Sequence, residues 1–306
     1  MTLQQLRYVT AVAEAGTISG AAKALFISQP SLTTAIQELE KEMGVTIFLR
    51  TNRGVVLSRE GEEFLGYARQ VLMQAQLLEE RYGAQSRHRQ QFSVSSQHYH
   101  FAAQAFSRVI REMGGERYDF TYRETTTYEI IEDVTHLRSE VGILMLTEQN
   151  GEVLRRIFRQ HELCYTELIR KEASVMVTMD HPLAHYSEVT AEDLVPYPCV
   201  SFEQGPHNAL FFSEDFSMAV DVPKHILVRD RATCEDLARE LGAYQAGTGL
   251  YTEVSSVTTR SLPLSPRQFI SLGYIVRDHM LLSPLAQAYI RTLEQLVEEY
   301  QQQYLI

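Results

Sequence analysis

Gln29, Ser31, Thr33, Thr34 and Gln37 are uncharged side chains that donate and accept hydrogen bonds, gathered just behind Ser28 and Pro30. Amides and hydroxyls in such a cluster match the edges of base pairs, where Gln can pair with adenine and Ser or Thr with several bases. Arg50 and Arg53 flank a stretch with turn chemistry, and arginines there suit phosphate or minor-groove contact, which fixes register without reading sequence. Solvated side chains on an ordinary three-helix bundle are the bland alternative for both groups.

A second set of candidates lies further along the chain: Ser95, Ser96, Gln97, Thr125, Thr126, Thr127, Ser201, Phe202 and Thr248. These residues fall where expected strands end and expected helices begin, so hydroxyls and free N–H groups converge. Helix N-termini carry partial positive charge, which makes a small anion, a carboxylate first, the expected ligand. Each Ser or Thr taken singly would serve equally as a helix cap. His98 with His100, and His181 with His185, do not set two nitrogens on one helix face with a third ligand, so no metal is expected. Gly247-Thr248-Gly249 lacks the third glycine and downstream acid of a dinucleotide site, and neither a phosphate loop nor a Gly-x-Ser-x-Gly elbow occurs. No cofactor and no enzymatic activity are expected. Cys164, Cys199 and Cys234 are widely spaced and suggest neither zinc nor a disulfide framework.

The elements that must position these residues can be read from periodicity. Leu3, Leu6, Val9, Val12 and Ala13 predict a short first helix that stops at Gly16. Thr17-Ile18-Ser19 offers caps for a second helix through Leu25. Ser28 caps a third, with Pro30 in its first turn, running to Met43 and burying Leu32, Ile36, Leu39 and Met43. Val45 to Arg50 and Val55 to Leu57 read as a hairpin around Thr51-Asn52-Arg53-Gly54, a wing beside the helices. From Ser58 a proline-free helix follows, on which Phe64, Ala68, Val71, Ala75, Leu78 and Tyr82 recur with the period of a coiled-coil seam. That stripe predicts pairing of two chains, though it could instead pack on the rear of its own chain.

Beyond the polar stretch 86–91 the rhythm alternates. Strands are expected over Phe92 to Ser96, Tyr118 to Arg123 and Val141 to Leu146, with helices around Phe106 and Ile131. A second such unit follows from about Leu163, with strands near Val175, Val200 and Leu227 and helices near Phe211 and Leu237. Phe269 to Val276 and a helix after Ser283-Pro284 complete the first unit. Two open α/β units make a cleft between them, the usual place for a ligand.

Charge placement fits this division. The 306 residues carry a formal net charge of -11, which alone disfavours a nucleic-acid partner. Residues 1–87 hold nine of the 28 Lys/Arg and nine of the 39 Asp/Glu, leaving 19 and 30 for residues 88–306, so the whole excess is at the rear. No stretch approaches the roughly 18 apolar residues of a membrane helix, and the first residues lack the basic start of a signal peptide, so a cytoplasmic protein without a membrane partner is expected.

Leu3-Gln4-Gln5-Leu6-Arg7-Tyr8, Ala21-Ala22, Ser28-Gln29-Pro30-Ser31-Leu32, Leu39-Glu40, Gly44-Val45, Phe48-Leu49-Arg50 and Gly61, in this order, closely resemble LysR-type transcriptional regulators. Farther on, His181-Pro182-Leu183-Ala184 with Asp193-Leu194, and Gly247-Thr248-Gly249, resemble the effector domains of that family. The resemblance implies a multidomain chain: an all-α winged helix-turn-helix domain over 1–58, a linker and dimerisation helix over 59–87, and an α/β effector-binding domain over 88–306. That last domain would have two Rossmann-like subdomains, 88–162 with 268–306 and 163–267, similar to periplasmic binding proteins. It also implies a ligand-responsive regulator that binds double-stranded operator DNA as a homodimer or homotetramer, with Gln29, Pro30, Thr33 and Thr34 reading bases. Many members carry an arginine where this chain has Thr34, so one phosphate or guanine contact is absent and operator sequence does not transfer.

Overall fold

The computed structural model describes residues 1–51, 54–82, 90–207, 210–214, 222–250 and 258–303. By contacts the chain divides into two compact units, Met1–His88 and Arg89–Ile306.

The first unit opens with three helices, α1 (Leu3–Ala15), α2 (Ile18–Ala24) and α3 (Gln29–Met43). Each starts at a hydroxyl cap: the side chains of Thr2, Thr17 and Ser28 accept from the N–H groups of Gln5, Gly20 and Ser31. Such a cap is worth about 1 kcal/mol. Gly16 and Gly44 stop α1 and α3 at φ 63° and 70°, left-handed values that cost glycine nothing. Leu32, Ile36 and Leu39 are buried as their spacing predicts, whereas Met43, the last residue of α3, is 43% exposed. The wing strands β1 (Phe48–Thr51) and β2 (Gly54–Leu57) pair antiparallel. The strand expected from Val45 begins only at Phe48, because Glu40 Oε1 instead accepts the N–H groups of Ile47 and Phe48 at 2.7 and 3.0 Å. Asn52 and Arg53 lie outside the described residues. The long helix α4 (Arg59–Tyr82) follows; its 24 residues span about 36 Å.

The second unit is built on a five-stranded sheet ordered β4-β3-β5-β13-β6, formed by β3 (Gln90–Ser96), β4 (Tyr118–Glu124), β5 (Val141–Thr147), β6 (Leu163–Glu172) and β13 (Phe269–Arg277). Three strands run parallel, as their apolar runs predict, and α5 (His100–Met113), α6 (Thr127–Thr135) and the C-terminal helix α10 (Pro284–Gln303) belong to this half. β13 is antiparallel to both neighbours. β6 was expected to open the second subdomain at 163 and instead pairs along its length with β13, so the crossover falls after Glu172. There the Ala173 N–H donates to the Gln268 carbonyl at 2.8 Å, joining the outgoing and returning strands.

The other half carries a four-stranded sheet ordered β11-β7-β12-β8, from β7 (Ser174–Thr178), β8 (Val189–Thr190), β11 (Gln245–Gly247) and β12 (Thr259–Ser265). A parallel pair, β9 (Cys199–Phe202) with β10 (His225–Val228), lies beside it, followed by α9 (Arg231–Leu241). Two further helices, α7 (Gly151–Gln160) and α8 (Ala191–Leu194), were not anticipated from the sequence. The helix expected near Phe211 is a single 3-10 turn, Leu210–Phe212, too short to bury an amphipathic face.

Candidate functional site

Two sites stand out, one in each unit. In the first, Ser28, Gln29, Pro30, Ser31, Thr34 and Gln37 are exposed and Thr33 is half-buried; Ser28 to Ser31 form the cap and first turn of α3, and Pro30, Thr34 and Gln37 lie on the side opposite Leu32, Ile36 and Leu39. Three of the hydroxyls are already engaged locally. Ser28 Oγ accepts the Ser31 N–H at 3.2 Å and lies 2.7 Å from Ser31 Oγ, and Thr33 Oγ1 donates to the Gln29 carbonyl at 2.9 Å. Gln29, Thr34 and Gln37 carry no such bond among the described residues. Arg50 is exposed on β1 with no ion-pair partner there either. The frame behind these groups is stiff: the Val55 N–H donates to the Gly16 carbonyl at 3.0 Å, tying the wing to the end of α1.

In the second unit a cavity of about 430 Å³ lies between the two halves. Phe202 and Thr248 line it, and the other seven effector candidates do not. Their bonds explain why. Ser95 Oγ is turned toward Asp133 and Ser139, at 2.5 and 2.8 Å. Ser96 donates to the Gln97 carbonyl at 2.6 Å, Ser201 sits 2.6 Å from His225 Nε2, and Thr125 meets Glu129. Thr126 caps α6, accepting the Glu129 N–H at 3.3 Å.

Gln97 and Thr127 act one layer behind the cavity. Gln97 Oε1 accepts from the Met145 N–H and the Tyr99 hydroxyl, both at 2.7 Å, while its amide donates to Thr127 Oγ1 at 2.6 Å. The Thr127 N–H then donates to Gln204 Oε1 at 3.1 Å, crossing to the other half. This chain, buried except at Tyr99, holds the point where β3 turns into α5.

The residues that sequence reasoning missed are charged. His98 Nδ1 lies 2.9 Å from Glu214 Oε2, with only 3% and 6% of the two side chains exposed. Arg231 grips Glu124 through Nε and Nη2, at 3.1 and 2.6 Å, and His100 Nε2 is 2.9 Å from Glu235. All three pairs join the five-stranded half to the other. The His98 ring stacks on Phe202, centroids 3.7 Å apart and planes 3° off parallel. Burial pulls the His98 pKa down, but hydrogen bonding to Glu214 and its charge, with that of Glu124, outweigh this and raise it above the usual histidine value. His100 goes the other way: burial and the charge of Arg231 lower its pKa against the pull of Glu235. The His98-Tyr99-His100 run at a strand end was a usable signal, since that is where an α/β cleft forms.

Arg231 Nη1 is buried without a hydrogen-bond partner among the described residues. Arg231 lines the cavity, whose wall also includes Met145, Met176, Met179 and Leu250. Among the described residues no helix is long and apolar enough to cross a membrane, and no three His, Cys, Asp or Glu side chains are grouped to hold a metal.

Comparison with known proteins finds a family match in each unit. Residues 3–62 match the bacterial regulatory helix-turn-helix protein, lysR family, and residues 99–298 match the LysR substrate binding domain. The uncharacterized HTH-type transcriptional regulator YnfL of Escherichia coli K12 is 30% identical over 207 residues, 67% of this chain and 66% of that protein. The Hca operon transcriptional activator HcaR of the same organism is 31% identical over 195 residues, 63% of this chain and 62% of its own. The alignments thus span just under two thirds of those relatives. Among solved structures, full-length OxyR C199D from Pseudomonas aeruginosa superposes with a TM-score of 0.63 at 20% identity, covering 97% of both chains. CbnR in complex with its target DNA gives 0.55 at 19% identity, covering 97% of this chain and all of that one. With two family matches that together take in most of its length, this chain belongs to the LysR family of bacterial regulatory helix-turn-helix proteins.

Proposed function

We propose that the chain is a transcriptional regulator that binds operator DNA through α3 and the wing, as a dimer or tetramer held by α4, and responds to a small anionic metabolite in the cavity of the second unit. The observation that carries this reading is the face of α3: Gln29, Thr34 and Gln37 are exposed and free to pair with bases, beside an unpaired Arg50. CbnR, which shares the fold, has been solved with its target DNA. For the effector, Arg231 supplies an unspent N–H at the cavity wall, and a guanidinium favours an anionic acceptor. Gln97 and Thr127 support that site from behind, and Ser95, Ser96, Thr125, Thr126 and Ser201 keep its strand ends in shape. Phe202 and Thr248 touch the ligand. Arg53 is assigned to phosphate contact by its place in the wing sequence.

Binding to a labelled duplex from upstream of its own coding region tests the proposal. Affinity should fall steeply as salt rises. Arg50→Ala should weaken binding to all duplexes and reduce the salt slope by about 1, whereas Gln29→Ala should lose roughly 1–3 kcal/mol of discrimination at one base pair. Binding that ignores both salt and sequence would remove the regulator reading.

A further inference from the structure

Glu214 sits where a free carboxylate would fit. Its side chain is 6% exposed, and the groups that hold it are donors arranged around both oxygens. His98 Nδ1 lies 2.9 and 3.1 Å from Oε2 and Oε1, the His98 backbone N–H donates to Oε2 at 3.4 Å, and the Gln204 amide donates to Oε1 at 3.1 Å. His98 Nε2 faces the Arg229 carbonyl at 3.3 Å, an atom that only accepts. Both ring nitrogens therefore point at acceptors, an arrangement that suits the doubly protonated, positively charged ring. Phe202 fixes the plane of that ring and presents its face to the charge. Behind the ring begins α5, fourteen residues long, whose N-cap Tyr99 makes no side-chain cap bond, so the positive end of the helix is not spent on a cap.

A buried carboxylate persists only where its charge is matched and its lone pairs are used. Here the match is complete, yet the pair is not sealed in a core: His98, Glu214 and Phe202 all line the cavity. A molecule entering the cavity meets this pair directly. Part of the wall, Met145, Met176, Met179 and Leu250, offers apolar surface for the body of a ligand, beside polar groups that include Arg231 and Thr248.

Resting on the effector reading above, we infer that the donors around Glu214 form the effector's carboxylate seat and that Glu214 is its resident occupant, which an apolar monocarboxylate displaces. The exchange keeps the seat's charge matched before and after, and the released Glu214 regains water. It also supplies what a switch requires. Glu214 and Gln204 belong to the other half of the unit from His98, so displacing Glu214 trades a bond between halves for a bond to ligand, and the ligand prefers one arrangement over the other. A site that its own side chain fills about nine-tenths of the time shows an apparent Kd about tenfold above its intrinsic value.

Calorimetric titration of the full chain with benzoate and with hexanoate, beside benzamide and hexanamide, tests this. Glu214→Ala should bind at least one of the two carboxylates about tenfold more tightly than the unaltered chain, in line with that occupancy. The amides should show no gain. Glu214→Gln, which keeps the side-chain shape and removes the charge, should gain in the same direction and carries the test if the alanine variant does not fold. Adding His98→Gln should erase the gain. Equal affinity in all variants, an equal gain for the amides, or no binding of either carboxylate to any variant would overturn the inference. Failure of the regulator reading looks different, because it appears as loss of salt-dependent duplex binding by the unaltered chain whatever the titrations show.

Discussion

Phe26 is 95% exposed at the turn between α2 and α3, with φ at 55°. A phenyl ring in water gains nothing from folding, and a non-glycine residue in the left-handed region costs roughly 1–2 kcal/mol. Asparagine tolerates that region, so Phe26→Asn should raise the stability of the first unit by about 1 kcal/mol, read as a higher denaturation midpoint. A lower midpoint would mean that the ring packs on something in the free chain. The same variant has a second readout. Two residues ahead of Ser28, the ring is placed to touch sugar or a thymine methyl group, and an apolar contact releases no counterions. Phe26→Asn should therefore weaken duplex binding while leaving its salt slope unchanged, unlike Arg50→Ala. At this scale the sequence was legible where a residue's role is local. Caps and exposed polar positions on α3 follow from spacing alone. The partners of His98, Arg231 and His100 were not legible, since Glu214, Glu124 and Glu235 lie more than a hundred residues away from them in sequence.

At the scale of elements, α4 separates into two parts. Leu65 and Ala68 are buried within the first unit, and Phe64 packs beside them, whereas Val71 and Leu78 are 42% and 61% exposed. The seam spacing thus has two uses: its first turns serve the unit's own core and its later turns lack a partner among the described residues. The side chain of Tyr82, the last seam position, lies outside them. An apolar stripe left open on a two-fold seam is counted twice in a dimer. Val71→Asp with Leu78→Asp should weaken self-association by roughly 3 kcal/mol or more, about a hundredfold, measured by sedimentation equilibrium. At concentrations too low for the unaltered chain to associate, the denaturation midpoint of the first unit should not move, because neither side chain supports its core. An unchanged association constant would assign the oligomer to another surface. Strand pairing shows the limit of periodicity in the second unit. The apolar run of β5 dictates its burial, but nothing within Leu163–Glu172 announces that it will pair with β13 a hundred residues later, so the crossover expected at 163 lies ten residues further on. The antiparallel sense of β13 is likewise a property of the chain path and not of its residues.

For the whole molecule, the excess acidity lies in residues 88–306, and the cleft of the second unit holds a histidine–carboxylate pair that responds to protons. Among the described residues three ion pairs bridge its halves, and of these only the His98 pair is buried on both sides. The folded chain raises the His98 pKa, so it binds that proton more tightly than the unfolded chain does. Its contribution to stability is therefore fully present below the unperturbed histidine value of about 6.5 and is lost as pH climbs through the raised one. His100 and His181 have lowered values, so their contributions run in the opposite direction, present above that value and lost as pH falls through the lowered ones. The raw pH profile of the second unit mixes these effects, and only a difference isolates the cleft pair. The midpoint of the unaltered chain minus that of His98→Gln should shrink as pH rises from about 6.5 upward. Glu214→Gln should flatten the same difference, since it removes the charge that holds the proton. Parallel profiles for the unaltered chain and His98→Gln across that range would show that the buried pair contributes no charge-dependent stability to the cleft.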